Sequence, residues 1–417
     1  MLHKTRAAAD RVTNHAERVF GIDIRRFLKD WSWLSMNQVV GVITAISLAL
    51  AYSHLLPKET YGTYQYVLAV IGVLSGFALP GMDSATQKWV ALGKERVFWH
   101  TFRKRLEWSG IGVLITLIIG SYYVLHGNVA LGSAFLVAAP FLFVLDPFSH
   151  FNSLLLGRQR FREYSFYNTA LQIAATAMIL TTIFLTKNVI LIVGGYFFAF
   201  VLVRGITFLR VIRKHKPNSE DAGGAIRYGA HMSLMNVATG FASQFDAILL
   251  FHFLGPVALA VFSFAEASSN QAQKMFKTVV SVMAFPKFAA VDTALLKETL
   301  PRKMLSAFLV TTPLALLIAL IIPPFYHTLF PAYAESIPYA QVLAGLLAFS
   351  PIRMISTAIS ARGSIRDIYA INTTSSVLQI VFLLVMVPLY GIWGAILATP
   401  IQTIITSVYA LWIFKRI

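Results

Sequence analysis

Five polar side chains recur at helical spacing inside an apolar run. Glu266, Asn270, Gln273, Lys277 and Ser281 lie within about 80° of one another around a helix axis, and Lys274 flanks them. A charge at the centre of a bilayer-spanning helix costs ~2.5–3.5 kcal/mol, so such a stripe is expected to line a wet cavity rather than meet lipid. Two further apolar runs carry Asn236, Thr239, Ser243 and Asp246 on one arc, and Ser350, Arg353, Thr357 and Ser360 on another. Lys274, Lys277 and Arg353 against Glu266 and Asp246 make the expected lining net basic in its second half. Such a lining suits an anionic cargo, and a diphosphate would gain charge-assisted hydrogen bonds there.

The carboxylates admit two chemistries. Asp246, Glu266, Asp83 and Asp146 could carry H⁺ or bind Na⁺ as a coupling ion, or each could hold a private salt bridge, such as Asp246 with Lys274. Asp83 follows Pro80-Gly81 and precedes Ser84-x-x-Gln87, the pattern of a helix restarting after a kink; Asp146 precedes Pro147 and reads the same way. Arg204 is expected to snorkel or to pair privately. With no Cys, thiolate metal sites and thiol nucleophiles are excluded, and the scattered His, including His231 and His252, read as interfacial residues. No cofactor is implied.

These side chains need elements that cross a membrane. The chain has 417 residues, 57% hydrophobic and only 13% charged. Apolar runs fall near residues 32–55, 63–91, 105–126, 129–156, 164–186, 188–212, 227–254, 258–287, 303–327, 335–361, 367–388 and 391–413, each long enough to cross ~30 Å of hydrocarbon as a helix. The fold class is therefore all-α, a polytopic membrane protein of about twelve spans; barrel strands would be half that length. One set of loops holds Lys94, Arg96, Arg103, Lys104, Arg105, Arg158, Arg160, Arg162, Arg213, Lys214, Lys216, Lys297, Arg302, Lys303, Arg362 and Arg366, whereas the opposite set holds only Lys58 and Lys187. The positive-inside rule then puts both termini in the cytoplasm. The net charge of +17 reads as topology and attraction to membrane lipids, with no nucleic-acid partner. Tyr61, Tyr64, Tyr66, Tyr122, Tyr123, Tyr326 and Tyr333 are expected at the outer interface, and Trp31, Trp33 and Trp412 at the inner one.

The halves repeat. Pro147, Arg158, Arg162, Glu163 and Asn168 match Pro351, Arg362, Arg366, Asp367 and Asn372 at one constant offset, and the turn at Leu56–Tyr64 aligns with Leu254–Phe262. We expect a basic cytoplasmic arm at 1–30 without a signal sequence, a six-helix bundle at 31–212, a cytoplasmic linker at 213–226 and a second bundle at 227–417, packed around a central cavity.

Three motifs carry a resemblance. Leu55-Leu56-Pro57-Lys58-Glu59-Thr60-Tyr61-Gly62-Thr63-Tyr64, Gly81-Met82 with Ala85 and Lys88-Trp89-Val90-Ala91, and Tyr390-Gly391-Ile392-Trp393-Gly394-Ala395 are similar to turns and span ends of the polysaccharide transporter family, the O-antigen and exopolysaccharide flippases. The first motif lacks the family's Gly before Pro57, and Lys88 stands where the family has Arg. The resemblance implies flipping of an undecaprenyl-diphosphate-linked oligosaccharide repeat unit across the inner membrane by alternating access, for lipopolysaccharide O-antigen or exopolysaccharide assembly. It implies no enzyme activity, and it names a polysaccharide polymerase and other assembly proteins as partners. It also implies that Asn37 and Gln38 line a lateral gate for the lipid tail, and that Lys88 joins the substrate-binding lining of Asn270, Gln273, Lys274, Lys277 and Arg353. Two other readings remain: a cation-coupled multidrug extruder of the same superfamily, which the basic lining disfavours, and a membrane glycan polymerase or ligase, which would be expected to carry a large outer loop.

Overall fold

The computed structural model describes the backbone of residues 24–220, 223–290, 293–362 and 364–416, and side chains within them except at 24–35, 268–290, 293–294, 296–297, 360–362, 365 and 415. The arm expected at 1–30 lies outside the described residues up to residue 23. Among the described residues there is no strand. The N-terminal half contains α1 (Ile24–Leu55), α2 (Lys58–Leu74), α3 (Gly81–Ala91), α4 (Val97–Leu125), α5 (Val129–Leu145), α6 (Phe151–Gly157), α7 (Phe161–Leu185) and α8 (Val189–Lys214). The C-terminal half contains α9 (Ala225–Ala242), α10 (Phe245–Ala290), α11 (Thr293–Leu329), α12 (Ile337–Gly345), α13 (Met354–Arg362), α14 (Ile365–Tyr390) and α15 (Ile392–Arg416).

Several of these helices are parts of one span. Among the described residues, 10 stretches are long and apolar enough to cross a membrane, or 11 when Lys58–Ala78 and Gly81–Ala91, bent by 46°, count as one. The α10 helix has 46 residues, roughly 70 Å at the helical rise, which is too long for one crossing. It is divided at Gly255, whose φ of 83° only glycine adopts cheaply, and the limb beyond this elbow completes twelve.

Proline sets the other breaks. Pro80 lacks an N–H to continue α2, so the chain passes through the 3₁₀ turn Ser75–Ala78 and left-handed Leu79 before α3 begins at Gly81. Pro147 similarly opens the 3₁₀ turn Pro147–His150 between α5 and α6. In the second half, Pro351 lies in the 3₁₀ stretch Leu346–Arg353 between α12 and α13. The fourth span and its repeat partner thus break at matching prolines, and Glu163 and Asp367 both fall in the first turn of the helix that follows. The Ser84–Gln87 pattern does not start a helix: α3 begins three residues earlier and has no side-chain cap.

The halves meet along the second and seventh spans. At the end remote from the linker, Gly62 of α2 lies against the Pro256 carbonyl so closely that a Cβ would overlap it. Tyr66 stacks on Phe251 with ring centres 3.9 Å apart. Tyr61 packs edge-on against Phe264 at 5.2 Å and Tyr333 at 6.2 Å. Lys58 forms a salt bridge with Glu335 across the same seam. Tyr61, Tyr64, Tyr66, Tyr326 and Tyr333 are buried, so they are not the lipid-facing belt expected; Tyr122 alone of that set is exposed. Apolar ring area is worth more inside this seal than at the interface, which is why sequence position alone misplaces them.

Candidate functional site

Breaking a helix at bilayer depth orphans carbonyls that water cannot reach, and two arginines satisfy them. Arg105 of α4, with a side chain only 3% exposed, donates from Nε to the Ala78 carbonyl at 3.0 Å and from Nη1 to Asp83 Oδ1 at 2.6 Å. The same oxygen accepts from Ser153 Oγ at 2.7 Å. Because a carboxylate only accepts, His150 Nδ1 carries its proton toward Asp83, 2.7 Å away. Its Nε2 lies 2.9 Å from the Thr101 hydroxyl and 3.1 Å from that of Thr86. One network, buried at Arg105, His150 and Ser153 and half-buried at Asp83, therefore ties the broken second span to the broken fourth.

Arg204 of α8 repeats the device at the fourth span. It donates from Nη1 to the Leu145 carbonyl at 2.9 Å, approaches Asp146 at 3.9 Å and lies over the Phe200 ring. The private pairing expected for Arg204 is what the structure shows. Asp83 and Asp146, expected as ion-coupling candidates, each have an arginine beside a proline break.

The remaining expected residues divide. Asp246 lies in the first turn of α10, where its Oδ1 accepts from the Ala247 N–H at 2.7 Å, and it interacts electrostatically with Glu266 on the limb beyond Gly255. Arg353 is exposed at the end of the 3₁₀ stretch of the tenth span. The side chains of Asn270, Gln273, Lys274 and Lys277 lie outside the described residues, so the expected stripe and an Asp246–Lys274 pair have no geometry here. Asn37 accepts from Thr169 of α7 at 3.3 Å and is half-buried, while Gln38 is exposed. Gln172 of α7 reaches Thr44 at 2.9 Å about two turns further along α1. Lys88 is exposed, its ammonium 4.9 Å from the Trp89 ring centre and 4.6 Å from that of Tyr228, at the seam between α3 and α9. Beside it, Gly81 N–H donates to Ser233 Oγ at 3.0 Å.

The linker is fastened to the N-terminal half. Arg158 grips Glu95 through two bonds of 2.6 Å, Asn218 N–H donates to Glu95 at 2.8 Å, and Asn218 Oδ1 accepts the Glu95 N–H at 3.0 Å. Burial opposes ionisation of Glu95, but the Arg158 and Asn218 hydrogen bonds and the Arg158 charge outweigh it and hold the carboxyl below its ordinary value.

Sequence reasoning missed Arg105 and His150, placing the first in a loop set and the second among scattered histidines. A signal existed: Thr101, Arg105, Ser109, Gly112 and Thr116 recur every three or four residues and are all buried on one face of α4.

Comparisons with known proteins agree with this architecture. The chain is similar in structure to "Lipid II flippase MurJ, inward closed conformation", with a TM-score of 0.71 and 14% identity over 92% of this chain and 87% of that one. It is similar to an inward-facing multidrug resistance MATE family transporter of the MOP superfamily, with a TM-score of 0.63 and 16% identity over 93% of this chain and 98% of that one. A MOP superfamily transporter from Pyrococcus furiosus, whose binding pocket is described as of reversed polarity, gives 0.54 and 15% over 93% and 96%. At these identities the likeness establishes a shared fold. No curated protein sequence matches the chain. The sequence model of one family does match, over residues 27–292, and the chain belongs to the polysaccharide biosynthesis protein family.

Proposed function

We propose that the protein flips an undecaprenyl-diphosphate-linked oligosaccharide repeat unit between the leaflets of a bacterial inner membrane, feeding surface-polysaccharide assembly, with both termini in the cytoplasm. The family match over residues 27–292 carries this reading, and the two-bundle architecture shared with a flippase supports it. In this reading the tyrosine seal closes the periplasmic end, and cargo enters from the linker end. Arg353 and the Lys274–Lys277 stripe would hold the diphosphate, with Asn270 and Gln273 beside it, while Lys88 meets the headgroup at the mouth. Asn37 and Gln38 would border the path of the polyprenyl tail. A polysaccharide polymerase would take the product.

Asp246 and Glu266, which feel each other's charge across the elbow at Gly255, form the place for a coupling H⁺ or Na⁺. Two carboxylates that feel each other's charge at bilayer depth are stabilised by one added cation.

The test is complementation of a strain lacking its own flippase of the matching glycan. Surface polysaccharide should return with the wild-type chain and fail with Arg353→Gln combined with Lys274→Gln and Lys277→Gln, at equal amounts of protein in the membrane. Normal polysaccharide from the triple variant sinks the basic-cavity reading. Resistance to cationic dyes without restored polysaccharide assigns the chain to drug extrusion instead.

A further inference from the structure

The start of α14 and the end of α15 enclose a cleft of about 250 Å³ that the transport reading does not use. Its lining is Asp367, Ala370, Tyr409, Trp412, Ile413 and Arg416. The guanidinium of Arg416 lies flat over Trp412, 3.3 Å from the ring centre, and Trp412 stacks on Tyr409 at 5.9 Å. This ladder fixes the planar donor fork of Arg416 at low entropic cost. Asp367 Oδ2 accepts from the Ser364 N–H at 3.0 Å and from its hydroxyl at 2.7 Å, closing a capping box. Its Oδ1 has no hydrogen-bond partner among the described residues, and no salt bridge joins it to Arg416.

An acid and a base share one cleft at a helix-end level rich in Trp and Tyr, and they are held apart by their own local contacts. We infer that this cleft binds the zwitterionic phosphoethanolamine headgroup of a membrane phospholipid, with the phosphate on Arg416 and the ammonium on Asp367 Oδ1. Arg416 offers paired N–H donors to the phosphate oxygens. The primary ammonium brings N–H donors to the free carboxylate lone pairs, whereas a choline headgroup has none to give. A phosphatidylglycerol headgroup has no cation, and Asp367 repels its charge. Ala370 and Ile413 offer an apolar wall to the glycerol end, and Trp412 and Tyr409 are residues of the bilayer interface. The site stands apart from the second and seventh spans, so it holds whatever the cargo is.

The test uses the full-length protein in detergent with equal amounts of dioleoyl phosphatidylethanolamine, phosphatidylcholine and phosphatidylglycerol, read by native mass spectrometry. Phosphatidylethanolamine should be retained about tenfold over phosphatidylcholine, the effect of one charge-assisted hydrogen bond. Asp367→Asn, which keeps an acceptor for the Ser364 cap, should remove that preference without lowering phosphatidylcholine retention. Arg416→Gln should lower retention of all three lipids, and Arg416→Lys, which keeps the charge but not the planar fork, should restore it only in part. Equal retention of the ethanolamine and choline lipids by the wild type overturns the assignment, as does a preference that survives Asp367→Asn. Soluble phosphoethanolamine retained as strongly as the lipid overturns the membrane source.

Discussion

Arg105 and Asp83 meet at 2.6 Å across the break in the second span, with the Arg105 side chain 3% exposed and Nε committed to the Ala78 carbonyl at the end of the 3₁₀ turn. Removing one partner strands the other charge at bilayer depth, which costs about 3–5 kcal/mol. Arg105→Gln should therefore lower the thermal midpoint in detergent far more than Arg103→Gln, whose side chain is 82% exposed. Asp83→Asn should be equally damaging, because the Arg105 guanidinium is then buried unpaired. The double variant Asp83→Asn with Arg105→Gln should recover part of the loss. A midpoint for either single variant within error of wild type would contradict the account.

The Glu95 knot predicts a pH response of stated sign. A carboxyl whose folded pKa lies below its unfolded value, ordinarily ~4.3, contributes stability that is complete above the unfolded value and lost as pH falls through the folded one. Amide exchange of residues 215–220, corrected for intrinsic rates, should accelerate as pH drops below that ordinary value. In Glu95→Gln the segment should exchange fast at every pH, having lost charge-assisted bonds worth about 1.5–3 kcal/mol each. A pH-independent wild-type profile would remove Glu95 as the fastener.

The span count, the paired prolines and the two-half layout were legible because each rests on a chain-local rule: run length, missing N–H, and spacing repeated along the sequence. The partners of charges were not. Arg105 sits at the end of a basic run, and only the buried face it shares with Thr101 and Ser109 assigns it inward. Asp83 looked like a helix-start residue and is one, in the first turn of α3, yet it also anchors a network reaching His150, which is distant in sequence. The outer tyrosines were misplaced for a related reason. Tyr61 and Tyr333 pack against each other across the seam, and whether a ring near a span end faces lipid or the other half depends on tertiary packing.

Gly62 makes its own prediction. A methyl group there overlaps the Pro256 carbonyl, a backbone atom that cannot rotate away. Gly62→Ala should cost about 1–3 kcal/mol in the sealed conformation. If opening of this end relieves the overlap, a cysteine at Thr63 should react faster with a water-soluble maleimide in the Gly62→Ala background. Unchanged labelling with an unchanged melting midpoint would show that the close approach does not constrain the protein.

The Lys58–Glu335 bridge joins the N-terminal half to the hairpin between α11 and α12, and both side chains are partly exposed, at 31% and 53%. An exposed pair of this kind contributes about 0–1 kcal/mol, so Glu335→Gln alone should leave thermal stability nearly unchanged. Its position matters more than its strength, because it crosses the seam that must part if the sealed end opens. Lys58→Cys with Glu335→Cys should be joined by a short, reducible bifunctional methanethiosulfonate that spans the reach of the two replaced side chains, and the crosslinked protein should fail to restore surface polysaccharide while either single cysteine restores it. Reduction should return activity. Full polysaccharide export with the crosslink in place would mean that this seam stays closed throughout transport and that cargo leaves by another route.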